Sequence, residues 1–147
     1  MFNYEEYEKN CEAIRATNME LLGIFEKDLT EAGLSAKTIN SHLSNVDFYI
    51  NEYLLREDAY PMEYGAGMID MFLGDFFIRK CMWSTPANIK TTAGSIKKFY
   101  KCMFDHNKIP KKNYDYLCNE IKTGMEQWQA DCAQYNDPGA PNPFFFF

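Results

Sequence analysis

Residues 86–107, PANIKTTAGSIKKFYKCMFDHN, decide how this chain is read. On a helix turning about 100° per residue, Ile89, Ala93, Ile96, Tyr100 and Met103 form one apolar stripe, with steps alternating between four and three. Lys90, Lys97 and Lys101 form a second stripe about a quarter-turn away, and Lys108 continues it if the helix runs one residue further. One element is therefore expected to carry both a core-facing side and a basic edge. Tyr100 is expected in the core with its hydroxyl at the rim. Ser84 or Thr85 is placed to cap the helix, Pro86 suits its first turn, and Ile109-Pro110 ends it.

The surroundings of this stretch differ in charge. Residues 84–112 hold seven lysines against Asp105 alone, a block of +6 inside a chain whose net charge is −6. That total argues against a protein that simply coats nucleic acid. A local block of one sign still guides phosphate while distant acids are screened. At 147 residues, with 46% apolar and 16% aromatic content, the chain is long enough for one domain with a real core.

Upstream, Tyr4, Tyr7, Cys11, Ile14, Leu21 and Phe25 keep a three-four spacing that predicts a helix from about Asn3 to Ala32, stopped by Gly33. Asn18 falls on the same stripe and is expected to be hydrogen-bonded in the core. Ser35 caps a second helix, Ala36 to Leu55, that buries Ile39, Leu43, Val46, Ile50 and Leu54. Phe48 and Leu55 fall on its opposite side, while Lys37, Asn40, Ser41 and Ser44 stay polar near its start. Arg56 to Gly67 reads as a connection.

A third helix, about Met68 to Met82, is apolar around most of its circumference, which marks a buried element. Gly74 within it suggests close helix approach, because glycine there otherwise costs about 1 kcal/mol. Downstream of the lysines, Tyr114, Leu117, Ile121, Met125 and Trp128 predict a fifth helix from Lys111 to about Tyr135. After Asp137-Pro138-Gly139 the periodicity ends. The expected architecture is an all-α, single-domain bundle of about five helices over residues 1–136, with a Pro/Phe-rich tail at 137–147.

Cys11, Cys81, Cys102, Cys118 and Cys132 are odd in number and form no CxxC, as expected of reduced thiols in a cytoplasmic protein. Glu5, Glu6 and Glu8 stand where a signal peptide would need basic residues. Met68–Trp83 is too short and too charged to span a bilayer, so no membrane partner is expected.

The order of signals from Leu21 to Pro110 resembles the N-terminal core-binding (SAM-like) domain of tyrosine recombinases and phage integrases. The residues are LLGIFEKDLTEAGLSAKTINSHLSNVDFYINEYL at 21–54, MIDMFLGDFF at 68–77 and SIKKFYKCMFDHNKIP at 95–110. In that family a helix ending in a Gly-Leu-Ser turn leads to a Thr-Ile helix, then a short acidic-apolar helix, then one with a Lys-Phe-Tyr run. The resemblance implies a SAM-like bundle, here with an extended N-terminal helix, that grips one side of a DNA duplex through its second and fourth helices. The expected DNA contacts are Lys37, Ser41, Lys90, Thr91, Lys97, Lys98, Lys101 and Lys108. Lysines supply affinity and salt dependence, so any sequence preference would fall to Thr91, Ser95 or the start of the second helix.

Recombinase catalysis needs several cations on the scissile phosphate. Arg15, Arg56 and Arg79 are the only arginines, and there is no His-x-x-Arg. No catalytic residues and no cofactor are expected, and the implied role is a non-catalytic DNA-binding module. Cys102 and His106, four apart on one helical face, could share a metal. Zinc needs three or four ligands, and only the distant His42 or Cys118 would complete such a site, so no metal site is expected. Phe144–Phe147 would be an aggregation hazard if left exposed, so they are either disordered and tolerated or docked, and docking onto the chain's own bundle or onto a partner, including a second copy, is the expectation. The alternative function is accordingly a protein-interaction or homo-oligomerisation module, motivated by that tail, the acidic majority and the apolar back of the second helix.

Overall fold

The structure, a computed structural model, describes residues 2–144, and these are helical with no strand among them. Helix α1 (Tyr4–Glu31) starts at Asn3, whose side-chain oxygen accepts from the Glu6 backbone N–H at 3.2 Å. Glu5 and Glu6 in its first turn complement the positive end of the helix dipole. Gly33 ends it at φ 83°, and the Gly33 and Leu34 N–H groups return to the carbonyls of Thr30 and Leu29. Ser35 then caps α2 (Ala36–Asp47) by accepting from Thr38 N–H.

Beyond Asp47 the helix widens into a π-helical turn, Phe48–Tyr53. A 3₁₀ stretch, Met62–Gly67, leads into a rod made of α3 (Ile69–Met71), a second π-helical turn (Phe72–Phe76) and α4 (Phe77–Lys80). Of the two candidate caps for α5 (Pro86–Asp105), Thr85 is the one used, accepting from Asn88 N–H at 3.0 Å. Ser84 is buried and donates to the Ile78 carbonyl. Helix α6 (Lys111–Asn136) follows Pro110.

Helix α5 is the hub, packing against α1, α2 and α6. The whole predicted stripe is buried, and Thr92, Ser95, Phe99 and Cys102 join it, so the buried arc is wider than the stripe. Each large side chain so buried contributes about 1.5–3 kcal/mol relative to exposure.

The expectation of regular second and third helices does not hold. Their π-helical turns meet, with Phe72 packed 4.7 Å from both Tyr49 and Tyr53, which stack on each other at 5.7 Å. In an unbroken helix Leu55 would fall on the side of Lys37. The wider turn shifts the phase, and Leu55 is 2% exposed. Phe48 is partly buried, its ring packing against Phe72 and Trp83. Tyr4 leaves the first stripe and is exposed, as is Met71 on the third helix; that helix ends at Lys80, short of the exposed Met82.

Asn18 is buried, as expected, and donates to the Ile50 carbonyl and to Asn51 Oδ1. The Tyr100 hydroxyl is not at the rim. It is buried and donates to the Met62 carbonyl at 2.5 Å, while Tyr49 donates to the Gly65 carbonyl at 2.6 Å. These two tyrosines tie the 3₁₀ stretch to the core. Past α6 the chain turns back: Gln134 donates to the Pro141 carbonyl, and the half-buried Phe144 meets Tyr135 and the Arg79 guanidinium. Phe145, Phe146 and Phe147, the rest of the expected docking tail, lie outside the described residues.

Candidate nucleic-acid interface

Because so much of α5 is buried, its solvent side is a narrow strip of Lys90, Thr91, Gly94, Lys97, Lys98, Lys101 and Asp105. Lys37, Lys90, Lys97 and Lys98 form no ion pair with any described residue. Lys101 pairs with Asp105 at 2.6 Å, and both side chains are half exposed. An exposed pair at this spacing is worth only about 0.3–0.5 kcal/mol, so phosphate could displace the carboxylate. Gly94 sits mid-strip with nothing within 4 Å of where its Cβ would be, which leaves the helix backbone open to a close approach.

Between α2 and the start of α5 runs a groove of about 840 Å³, lined by Lys37, Asn40, Ser41, Ser44, Asn45, Asn88 and Thr91. Its lining contains a cation, amides and hydroxyls and no carboxylate. The groove on the other side of α2, against α1, is lined in part by Glu26 and Asp47. Helix α2 thus separates a largely apolar groove carrying two carboxylates from one lined without a carboxylate.

The floor beneath the first groove is a closed polar network. Ser95 Oγ lies 2.8 Å from His42 Nδ1, accepts from Asn45 Nδ2 at 3.0 Å, and donates to the Thr91 carbonyl. Burial, with the nearby Lys98 charge, holds His42 below the usual histidine range, so its ring is neutral at pH 7. Ser95 is 1% exposed. It therefore cannot reach a base edge, contrary to the expectation that it could supply sequence preference; its role is to join α2 to α5.

Lys37, Ser41 and Thr91 are thus brought together in the groove, and Lys90, Lys97, Lys98 and Lys101 share the adjoining strip. Lys108 does not join them. The helix stops at Asp105 because Asn107 takes the left-handed conformation at φ 60°, and the Asn107 and Lys108 N–H groups return to the Phe104 and Met103 carbonyls. The stripe therefore ends at Lys101. Asn40, Ser44 and Asn88 are groove residues beyond the predicted contacts. The spacing of Lys37, Asn40, Ser41 and Ser44 already marked one polar helix face. Trp83, 57% exposed, stands beside the groove, its carbonyl accepting from Asn88 Nδ2 at 2.8 Å.

No protein-family model matches this chain, and neither does any curated protein or solved structure compared with it.

At the opposite end of α5, Cys102 and His106 do converge, but not on His42 or Cys118. Both contact Asp28 of α1: Cys102 Sγ–H donates to Oδ2 at 3.1 Å, and His106 Nε2 lies 2.9 Å from the same oxygen. Those two hydrogen bonds hold the Asp28 carboxyl below its usual range. Burial, reinforced by that carboxylate, pushes the Cys102 thiol up to about 12. Asp28 sits between the other two groups, so it anchors the thiol proton instead of activating a thiolate. All five cysteines are free thiols.

Proposed function

We propose that this chain is a non-catalytic, cytoplasmic DNA-binding module, related in form to the core-binding domain of tyrosine recombinases. It holds the duplex backbone with the lysine strip of α5 and the groove between α2 and α5. The observation that carries this reading is the carboxylate-free groove, with Lys37 in its wall and Lys90, Lys97 and Lys98 unpaired beside it. The family resemblance assigns to DNA the helices expected at 36–55 and 86–107, which correspond to α2 and α5, the two helices that flank the groove. Phosphate contact by lysine supplies affinity without reading bases. Ser41, Asn40 and Thr91 are the groups placed to add direct hydrogen bonds.

The test is binding of a generic duplex by the full chain at two salt concentrations. Affinity should fall steeply with salt. The K90E/K97E/K98E variant should bind more weakly, with its log–log salt slope flattened by roughly 0.9 for each phosphate it no longer neutralises. D105N, which removes the acid on the strip, should bind a few-fold more tightly. No binding at low salt, or unchanged binding by the triple variant, removes the proposal.

A protein-interaction or homo-oligomerisation role draws on the exposed neighbours Met82 and Trp83. It predicts self-association or partner capture that is abolished in M82S/W83S. Sedimentation as a monomer at high concentration would count against its homo-oligomeric form.

A further inference from the structure

The Asp28–Cys102–His106 cluster offers three different ligand atoms, a carboxylate oxygen, a thiol sulfur and an imidazole nitrogen, all within 4.8 Å of one another. A tetrahedral zinc ion holds sulfur at about 2.3 Å and nitrogen or oxygen at about 2.0–2.2 Å, which sets neighbouring ligand atoms roughly 3.3–3.6 Å apart. The observed 3.1 Å and 2.9 Å separations are slightly tighter than that. Small rotamer adjustments would open them enough to admit an ion.

The three residues are also well supported. Cys102 lies in the last turn of α5, and His106 is its C-terminal cap, one turn on, with its backbone N–H bonded to the Cys102 carbonyl at 3.0 Å. Asp28 lies in the last turn of α1, with its carbonyl accepting from Ala32 N–H at 2.9 Å. Ligands carried on helix backbone are held more precisely than ligands on loops. Cys102 is buried, while the Asp28 and His106 side chains are 36% and 41% exposed, so the cluster has a closed side and a solvent-facing side. The open side gives an entry path and room for water as a fourth ligand.

We propose that Asp28, Cys102 and His106 bind one divalent cation of the zinc class, joining the end of α1 to the end of α5. The mixed oxygen, sulfur and nitrogen set suits a borderline ion and not magnesium or calcium, which take oxygen ligands. On binding, the Cys102 thiol gives up its proton to solvent, and the metal takes the place that this proton now holds between sulfur and carboxylate.

The test uses the full chain, first stripped with a chelator, then dialysed with zinc and titrated separately with cobalt. The expected result is one equivalent of retained zinc, a higher melting temperature, and a thiolate-to-cobalt charge-transfer absorption. C102S should abolish that absorption. H106A, a surface change that leaves the core intact, should weaken zinc binding by at least about tenfold, and C118S should leave it unaltered. Failure to retain zinc overturns the proposal, as does binding that survives both C102S and H106A. A cobalt–thiolate band that disappears only in C118S also overturns it.

Discussion

Trp128 occupies the space that a side chain at Gly74 would need: a Cβ built there would lie 2.7 Å from both Cδ1 and Nε1 of the indole. The ring has little freedom to retreat. Its Nε1–H donates to Asp70 Oδ1 at 2.7 Å, and a Cβ at Gly124 would stand 2.4 Å from its Cζ2. The two glycines and Asp70 therefore set how closely α6 approaches the rod.

Gly74→Ala pits helix propensity against this contact. Alanine gains up to about 1 kcal/mol in a helix, whereas overpacking a fixed ring costs about 1–3 kcal/mol, so the clash wins. Gly94→Ala has the same propensity gain with nothing within 4 Å to oppose it. Urea titration should show G74A destabilised by about 1–2 kcal/mol and G94A stabilised by about 0.5–1 kcal/mol.

Two buried tyrosines should respond oppositely to removal of their hydroxyls. Tyr53 Oη is buried without a hydrogen-bond partner among the described residues, whereas Tyr100 Oη donates to the Met62 carbonyl. Removing an unpaired buried polar group relieves a desolvation cost, while breaking a made bond leaves a carbonyl unsatisfied, each worth about 1–3 kcal/mol. Y53F should be neutral or stabilising and Y100F destabilising in the same denaturation experiment, because phenylalanine preserves the ring in both.

The depressed His42 gives stability a pH dependence of definite sign. The unfolded chain takes up this proton at a higher pH than the folded protein does. The contribution is therefore complete above the unfolded value of about 6.5 and is lost as pH falls below it towards the folded value. Melting temperature should decline between about pH 7 and 5, and H42Q should flatten that decline. Lys98→Ala should raise the His42 midpoint in an NMR titration, since that charge opposes protonation. Asp28 acts in a separate window. Its lowered value keeps its contribution intact until pH falls below its unfolded value of 3.8.

Local chemistry made much of this fold readable. Gly33, Ser35 and Thr85 with Pro86 mark helix ends because each acts on its own backbone neighbours, and the observed ends fall at them; Pro110, expected to end α5, instead precedes α6, and α5 stops earlier, at Asp105. The apolar stripe of α5 was legible for the same reason. Lys108 shows the limit: whether the helix continued past Asp105 depended on Asn107 adopting a left-handed turn that periodicity does not encode.

The amino-acid sequence by itself determined an all-helical chain and the hub helix with its lysine edge. Tertiary structure alone decided the rest. The π-helical turns that bury Leu55 arise where Phe72 packs against Tyr49 and Tyr53. The groove exists because α2 and α5 lie side by side. Asp28 meets Cys102 and His106 across more than seventy residues of chain. Helical spacing reports which residues share a face, but convergence between helices is set by packing over distances that spacing does not reach.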